Sequence, residues 1–174
     1  MYHGDHLQLL RGGIPGPGGV WADMGCGAGA FTLALADLAG PGVEIHAVDR
    51  DAGALRSNAI AVRERFPGAK VEYLEGDFTR PLALPELDGI VMANSLHFQD
   101  DQVTVVRLLR TYLRPGGRLI IVEYNIDRAN YAVPHPVPFT RWERLARDAG
   151  FDETTLLYRR PARSSSEIYS AMST

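Results

Sequence analysis

The residues best suited to chemistry in this chain are small or acidic, and they stand at the ends of apolar runs. Val20-Trp21-Ala22 ends in Asp23, and Gly25, Gly27 and Gly29 then alternate with Met24, Cys26 and Ala28 before an alanine-rich helical pattern begins at Ala30. Glycines in such a turn admit backbone angles closed to other residues and remove the Cβ atoms that keep a ligand off the main chain. The helix behind them offers N–H groups without partners to a carboxylate or phosphate. Further along, Asp49 closes the run Glu44-Ile45-His46-Ala47-Val48, Asp77-Phe78 follows Val71 to Leu74, and Asn94 follows Gly89 to Ala93. Three carboxylates on one rim would repel a pyrophosphate and suit a ligand bearing positive charge. His97 lies just beyond Asn94, and an imidazole titrating near neutrality could take a proton from a hydroxyl or amine nucleophile. Leu96-His97-Phe98 fits a packed corner equally well.

These residues need a scaffold that collects strand ends on one edge. Asp5 to Arg11 can form a short helix carrying Leu7, Leu9 and Leu10, and the glycine- and proline-rich stretch 12–19 then reads as a leader loop. Phe31, Leu35 and Leu38 recur at helical spacing after the glycine turn, and Leu55, Ala59, Val62 and Phe66 do so after Asp49. A proline-containing loop through Pro85 takes the place of a third helix, and a helix from Asp101 to Leu113 buries Val105, Leu109 and Tyr112. Arg114-Pro115-Gly116-Gly117 turns the chain into a fifth strand, Arg118 to Tyr124, whose apolar run suits burial on both faces. Five strands alternating with helices imply a parallel sheet with right-handed crossovers. Stretch 125–139, with three prolines, is a loop on the substrate side. Thr140 and Glu143 form a capping box for a helix carrying Trp142, Leu145 and Ala146. Thr154 to Tyr158 and Glu167 to Ala171 pair as closing strands around a turn at Ala162 to Ser166. In such sheets ligands lie beyond the carboxyl ends of the strands, where strand order reverses.

Composition narrows the field. With 174 residues, 45% of them hydrophobic, one core and a single domain are expected. The formal charge of −3 supplies no basic field for nucleic acid, and Lys70 is the only lysine among the 18 cationic residues. Cys26 is the sole cysteine, so no internal disulfide forms and the cytoplasm is the expected compartment. Cys26 itself reads as a small loop filler, with no neighbour placed to activate its thiol. No apolar run approaches the length of a membrane span, and no pair of the candidate residues has metal-ligand spacing. A carboxylate after the second strand suits the ribose of a nicotinamide dinucleotide as well, and Gly25-x-Gly27-x-Gly29 departs only weakly from G-x-G-x-x-G, because that pattern tolerates alanine where this chain has Ala30.

Taken in order, these segments resemble the class I S-adenosylmethionine-dependent methyltransferases, and the resemblance runs from about Val20 to the end. Asp23 to Gly29 looks like the family's first motif, followed by Asp49, Gly76-Asp77-Phe78, Asn94 to Phe98, and Leu113-Arg114-Pro115-Gly116-Gly117. The resemblance implies an α/β, Rossmann-like doubly wound sheet, seven-stranded and mostly parallel, with a C-terminal antiparallel hairpin. It implies S-adenosylmethionine as cofactor. Asp23 would meet the methionyl ammonium, and the backbone of Gly25, Cys26 and Gly27 would face the methionyl and ribose parts. Asp49 would accept both ribose hydroxyls, with Arg50 flanking the adenine. Asp77 would accept from the adenine amino group, Phe78 would contact the ring, and Asn94 would line the wall near the sulfonium.

The expected reaction is methyl transfer to a small molecule, with His97 as the candidate base. Family members acting on the exocyclic amines of bases carry Asn or Asp, then Pro-Pro and an aromatic residue; Asn94-Ser95-Leu96-His97 does not match, which also argues against nucleic acid. Tyr124, Asn125, Tyr131 and His135 sit where substrate contacts are expected, and Tyr2, His3 and His6 form either a short lid or a frayed terminus. Little chain covers the substrate, so either the site is open or a second copy closes it as a homodimer. A non-catalytic cofactor-binding module would account for the thin cover as well. A nicotinamide oxidoreductase of similar fold would need an acid–base set, and Lys70 has Phe66, not tyrosine, four residues before it.

Overall fold

The computed structural model describes residues 1–162 and 167–174. Seven strands form one sheet in the order β3-β2-β1-β4-β5-β7-β6, where β1 is Gly19–Met24, β2 Val43–Asp49, β3 Lys70–Glu75, β4 Leu87–Ala93, β5 Leu113–Tyr124, β6 Thr154–Pro161 and β7 Glu167–Ser173. β1 to β5 pair in parallel, and β7 runs antiparallel to both β5 and β6. The order reverses between β1 and β4. This is the Rossmann-like, mostly parallel sheet with a closing antiparallel hairpin.

The helices are α1 (His3–Arg11), α2 (Ala30–Ala39), α3 (Ala52–Arg65), α4 (Gln102–Arg110) and α5 (Phe139–Asp148). Alternate residues of the central strands face opposite layers. Trp21, Val91, Ile120 and Val122 pack with Leu9 and Leu10 of α1 and Phe31 and Leu35 of α2. Met24, Ile90, Met92, Leu119 and Ile121 pack with Val105 and Leu109 of α4 and Trp142 and Leu145 of α5. With both faces covered, the strands read as continuous apolar runs.

Several boundaries differ from the sequence expectation. α4 stops at Arg110, so Tyr112 lies beyond it, half-buried, with its hydroxyl accepting from Leu82 N–H at 2.8 Å. β5 starts at Leu113, opposite Leu87, and its register then jumps to Gly89 opposite Arg118, which leaves the Arg-Pro-Gly-Gly turn as a bulge inside the strand. The capping box at Thr140 and Glu143 does not form. α5 already begins at Phe139 behind Pro138, and Asn125 at the end of β5 supplies the cap, its Oδ1 accepting from Phe139 N–H at 3.0 Å. The expected turn at Ala162 to Ser166 falls outside the described residues except for Ala162. No helix is long and apolar enough to cross a membrane among the described residues.

Candidate functional site

The glycine turn after β1 is held by the neighbouring strand: Gly25 N–H and Cys26 N–H both donate to Val48 C=O, at 2.9 and 3.0 Å. Gly25 has φ +73°, and a Cβ there would lie 2.7 Å from Ser95 Cβ and 3.3 Å from the Phe78 ring. Any side chain would push apart the two loops that the turn joins. Gly27 has φ +51° and only open space where a Cβ would stand, so its backbone faces a cleft. Cys26 is buried, and burial pushes its thiol well above the ordinary range, as suits a loop filler rather than a nucleophile.

The three aspartates have different surroundings. Asp23 lies beneath the turn, 1% exposed, with Oδ2 accepting from the Thr32 hydroxyl at 2.7 Å; that hydroxyl in turn accepts from Asn58 Nδ2 at 2.9 Å. Burial raises the Asp23 pKa to about 7, against the Thr32 bond, and the charge of Asp49 adds to the rise. Asp49 Oδ2 accepts from Gly27 N–H at 2.8 Å and Oδ1 from Asp51 N–H at 2.9 Å. Each oxygen has a second lone pair. Asp77 turns Oδ1 to the Thr79 hydroxyl and N–H at 2.7 and 2.9 Å, which lowers its pKa, and among the described residues leaves Oδ2 with only Arg80 Nε at 3.8 Å.

These residues line two cavities that meet at Gly25 and Asn94. One, of about 210 Å³, is walled by Asp49, Arg50, Asp77, Phe78, Asn94 and Phe98. The other, of about 420 Å³, is walled by Met1, His6, Asp23, Cys26, Gly27 and Asn94. Asn94 has φ +52° without being glycine, and its Oδ1 is buried with no hydrogen-bond partner among the described residues. An orphaned buried acceptor costs about 1–3 kcal/mol, and such strain commonly marks a functional position. His6 reaches the second cavity because α1 packs on α2, its ring 4.8 Å from that of Phe31. His3 instead pairs with Asp37 of α2 at 2.8 Å.

A third cavity, of about 1180 Å³, opens at the carboxyl end of β5 between α1, β6 and β7, with Tyr2, Tyr124, Arg128, Val133, Arg160 and Ile168 among its walls. Of the loop residues expected there, Tyr124 lines it. Asn125 does not. Its Nδ2 donates to Glu167 at 2.7 Å and its Oδ1 caps α5. His135 is tied by its backbone to His97 C=O at 3.0 Å. A separate cavity of about 470 Å³, lined by Trp21, Asp88, Arg114 and Arg118, sits at the amino ends of β1 and β4 and shares no residue with these three.

His97 is 2% exposed and lines none of the cavities. Its Nδ1 lies 2.6 Å from Glu123 Oε2, while Glu123 Oε1 accepts from the N–H groups of Leu96 and His97 at 3.1 and 3.2 Å. The Tyr124 ring stands 6.4 Å from the imidazole. Sequence reasoning missed Glu123. The signal was a single carboxylate closing the buried run Leu119 to Val122, where an ionised group needs partners.

The family described as a methyltransferase domain matches residues 22–121, more than half of the chain and the whole span from Asp23 to β5. The chain belongs to the class I S-adenosylmethionine-dependent methyltransferases. This methyltransferase is 31% identical over 141 residues to a probable cobalt-precorrin-6B C(15)-methyltransferase of Methanothermobacter thermautotrophicus, covering 79% of the chain and 64% of that protein. It is 29% identical over 119 residues to a demethylmenaquinone methyltransferase of Bacillus licheniformis, covering 67% of the chain and 48% of the relative. The chain thus spans less than two thirds of the length of either. A crystal structure of an S-adenosylmethionine-dependent methyltransferase from Aquifex aeolicus shares the fold, with a TM-score of 0.75 over 98% of this chain and 90% of that one at 20% identity. The cofactor of the family is S-adenosylmethionine.

Proposed function

We propose that this methyltransferase moves the methyl group of S-adenosylmethionine to a small molecule seated in the cavity beside Tyr124. The observation that carries the reading is Asn94. Its unpartnered Oδ1 stands where the two smaller cavities meet, and β4, which it ends, is the neighbour of β5, which ends in Tyr124. The residues fit the cofactor. An adenosine half beside Asp49, Arg50, Asp77 and Phe78 and a methionine half beside Asp23 and the backbone of Gly25, Cys26 and Gly27 would bring the sulfonium next to Asn94. A cation there meets an orphaned acceptor and a buried carboxylate.

The cofactor supplies a methyl group already activated by its sulfonium. The protein's part is to hold the acceptor in line and exclude water. Asp49 keeps one lone pair on each oxygen for the ribose hydroxyls, and Asp77 keeps Oδ2 for the adenine amino group. With Glu123 on Nδ1 of His97, Nε2 is the nitrogen left to take a proton; because the ring is 2% exposed and lines none of the three cavities, a base role requires the arriving acceptor to uncover it. The same pair also fastens the Leu96–Phe98 turn to β5, and the two roles separate experimentally. If His97 is the base, His97→Gln lowers turnover about 100-fold or more while affinity for S-adenosylhomocysteine stays within about twofold. Loss of that affinity together with turnover would assign His97 to anchoring alone.

By their names, the relatives act on a cobalt-precorrin and a demethylmenaquinone. Incubation with methyl-labelled cofactor and a metabolite panel that includes both compounds tests the reading. A labelled small-molecule product supports it, whereas label recovered only in protein or nucleic acid overturns it.

A further inference from the structure

We propose that the cavity beside Tyr124 selects acceptors that join a flat apolar body to an anionic group, and that Arg128 and Arg160 hold the anion. The inference rests on the reading of this cavity as the acceptor site. Its volume of about 1180 Å³ lies above the ~300–1,000 Å³ usual for small-molecule sites. A compact metabolite would leave most of it filled with water.

Tyr124, Val133 and Ile168 give it apolar walls, and the exposed ring of Tyr2 lines it as well. Tyr2 is 88% exposed, and Tyr131, standing between the lining residues Asn130 and Ala132, is fully exposed. The turn that presents Tyr131 is built rather than slack, since Asn130 Oδ1 accepts from the N–H groups of Ala132 and Val133 at 2.9 and 3.0 Å. Tyrosine rings offer large flat contact area with few torsions to immobilise. Tyr2 and Tyr124, both lining this cavity, suit a planar ligand.

Formal charge in the cavity balances, with Asp5 and Asp127 against Arg128 and Arg160, so hydrogen-bonding capacity decides. Asp5 is committed: its Oδ2 accepts from Tyr2 N–H at 2.8 Å and lies 2.5 Å from Arg160 Nη1, and its pKa is lowered accordingly. Arg160 meets that carboxylate through Nη1, one nitrogen of its three-nitrogen fork. Arg128 has no acidic partner within 4 Å among the described residues. A guanidinium carries five donors in a fork that matches a carboxylate. The surplus in this cavity is therefore of donors, on two arginines, beside an apolar wall.

The test uses the full chain saturated with S-adenosylhomocysteine and a matched pair of fluorescent probes, pyrenebutyrate and pyrenebutanol, which share a flat four-ring body and differ in the carboxylate. The acid is expected to bind at least about tenfold more tightly than the alcohol, as one charge-assisted pair supplies. Arg128→Gln, an exposed loop substitution, and Arg160→Gln should each bring the ratio to about threefold or less without altering S-adenosylhomocysteine affinity. Ala132→Trp, which fills the mouth, should weaken both probes. Equal binding of acid and alcohol, or a ratio indifferent to both arginines, overturns the proposal; if Ala132→Trp still weakens both probes, the acceptor-site reading survives that failure. Probes indifferent to Ala132→Trp would overturn both.

Discussion

Replacing Asp23 with Asn should strengthen the fold and weaken the cofactor site, and the two effects carry opposite pH signatures. Burial holds the Asp23 pKa at about 7 against an ordinary 3.8. At about 1.4 kcal/mol per pKa unit, ionising this carboxyl in the folded protein costs roughly 4 kcal/mol more than in the unfolded chain. Because the folded pKa is raised, the associated stability is fully present below about pH 4 and is lost as pH rises through 7. Asn never ionises, and its Oδ1 can still accept from the Thr32 hydroxyl. Asp23→Asn should therefore match the parent near pH 4 and exceed it by about 2–4 kcal/mol at pH 8, which is roughly 5–15 °C in Tm for a chain of this size. Binding moves the other way. A methionyl ammonium beside Asp23 favours the carboxylate, so parent affinity for S-adenosylhomocysteine should rise nearly tenfold per pH unit from pH 5 toward 7 and then level off. The variant should bind more weakly at pH 8 and show no such slope. Thermal denaturation and calorimetric titration across pH 4 to 8 read both quantities. A variant no more stable than the parent at pH 8, or one that keeps the parental slope in affinity, refutes the reasoning.

Other substitutions probe separate parts of the account. Asp49→Asn should weaken S-adenosylhomocysteine binding by one to two orders of magnitude, since the amide keeps one acceptor for the ribose and loses the other charge-assisted bond, worth about 1.5–3 kcal/mol, and calorimetry reads the loss. Gly89→Ala places a Cβ 2.2 Å from the Trp21 ring. Denaturant unfolding should show about 1–3 kcal/mol of destabilisation, partly relieved by adding Trp21→Leu. Glu123→Gln sets an amide where a buried carboxylate accepts three hydrogen bonds from Leu96 and His97, and should lower stability by about 1–3 kcal/mol in the same assay.

Much of the site was legible because a parallel sheet delivers strand ends to one edge, and apolar runs mark where strands end. Asp49 and Asn94 follow such runs directly, so their places needed no knowledge of packing. What escaped depends on partners distant in sequence. Glu123 meets His97 only because β5 lies beside β4, 26 residues apart in the chain. Asn125 replaces a local capping box at α5 from 14 residues upstream. Asp23 was expected on an open rim with the other carboxylates, and lies buried because α2 brings Thr32 over it. Of Tyr2, His3 and His6, read from the sequence as either a short lid over the cofactor or a frayed terminus, only His6 is carried, with Met1, to the cavity beside Asp23, and it arrives there because α1 packs on α2.

The central claim is that the cleft shared by Asp23, Asp49, Asp77 and Asn94 holds S-adenosylmethionine, and a side-by-side calorimetric titration with S-adenosylhomocysteine and NAD tests it most directly. The account predicts one-site binding of S-adenosylhomocysteine at micromolar affinity, abolished or strongly weakened by Asp49→Asn, with no measurable binding of NAD. Micromolar binding of NAD with none of S-adenosylhomocysteine would contradict it.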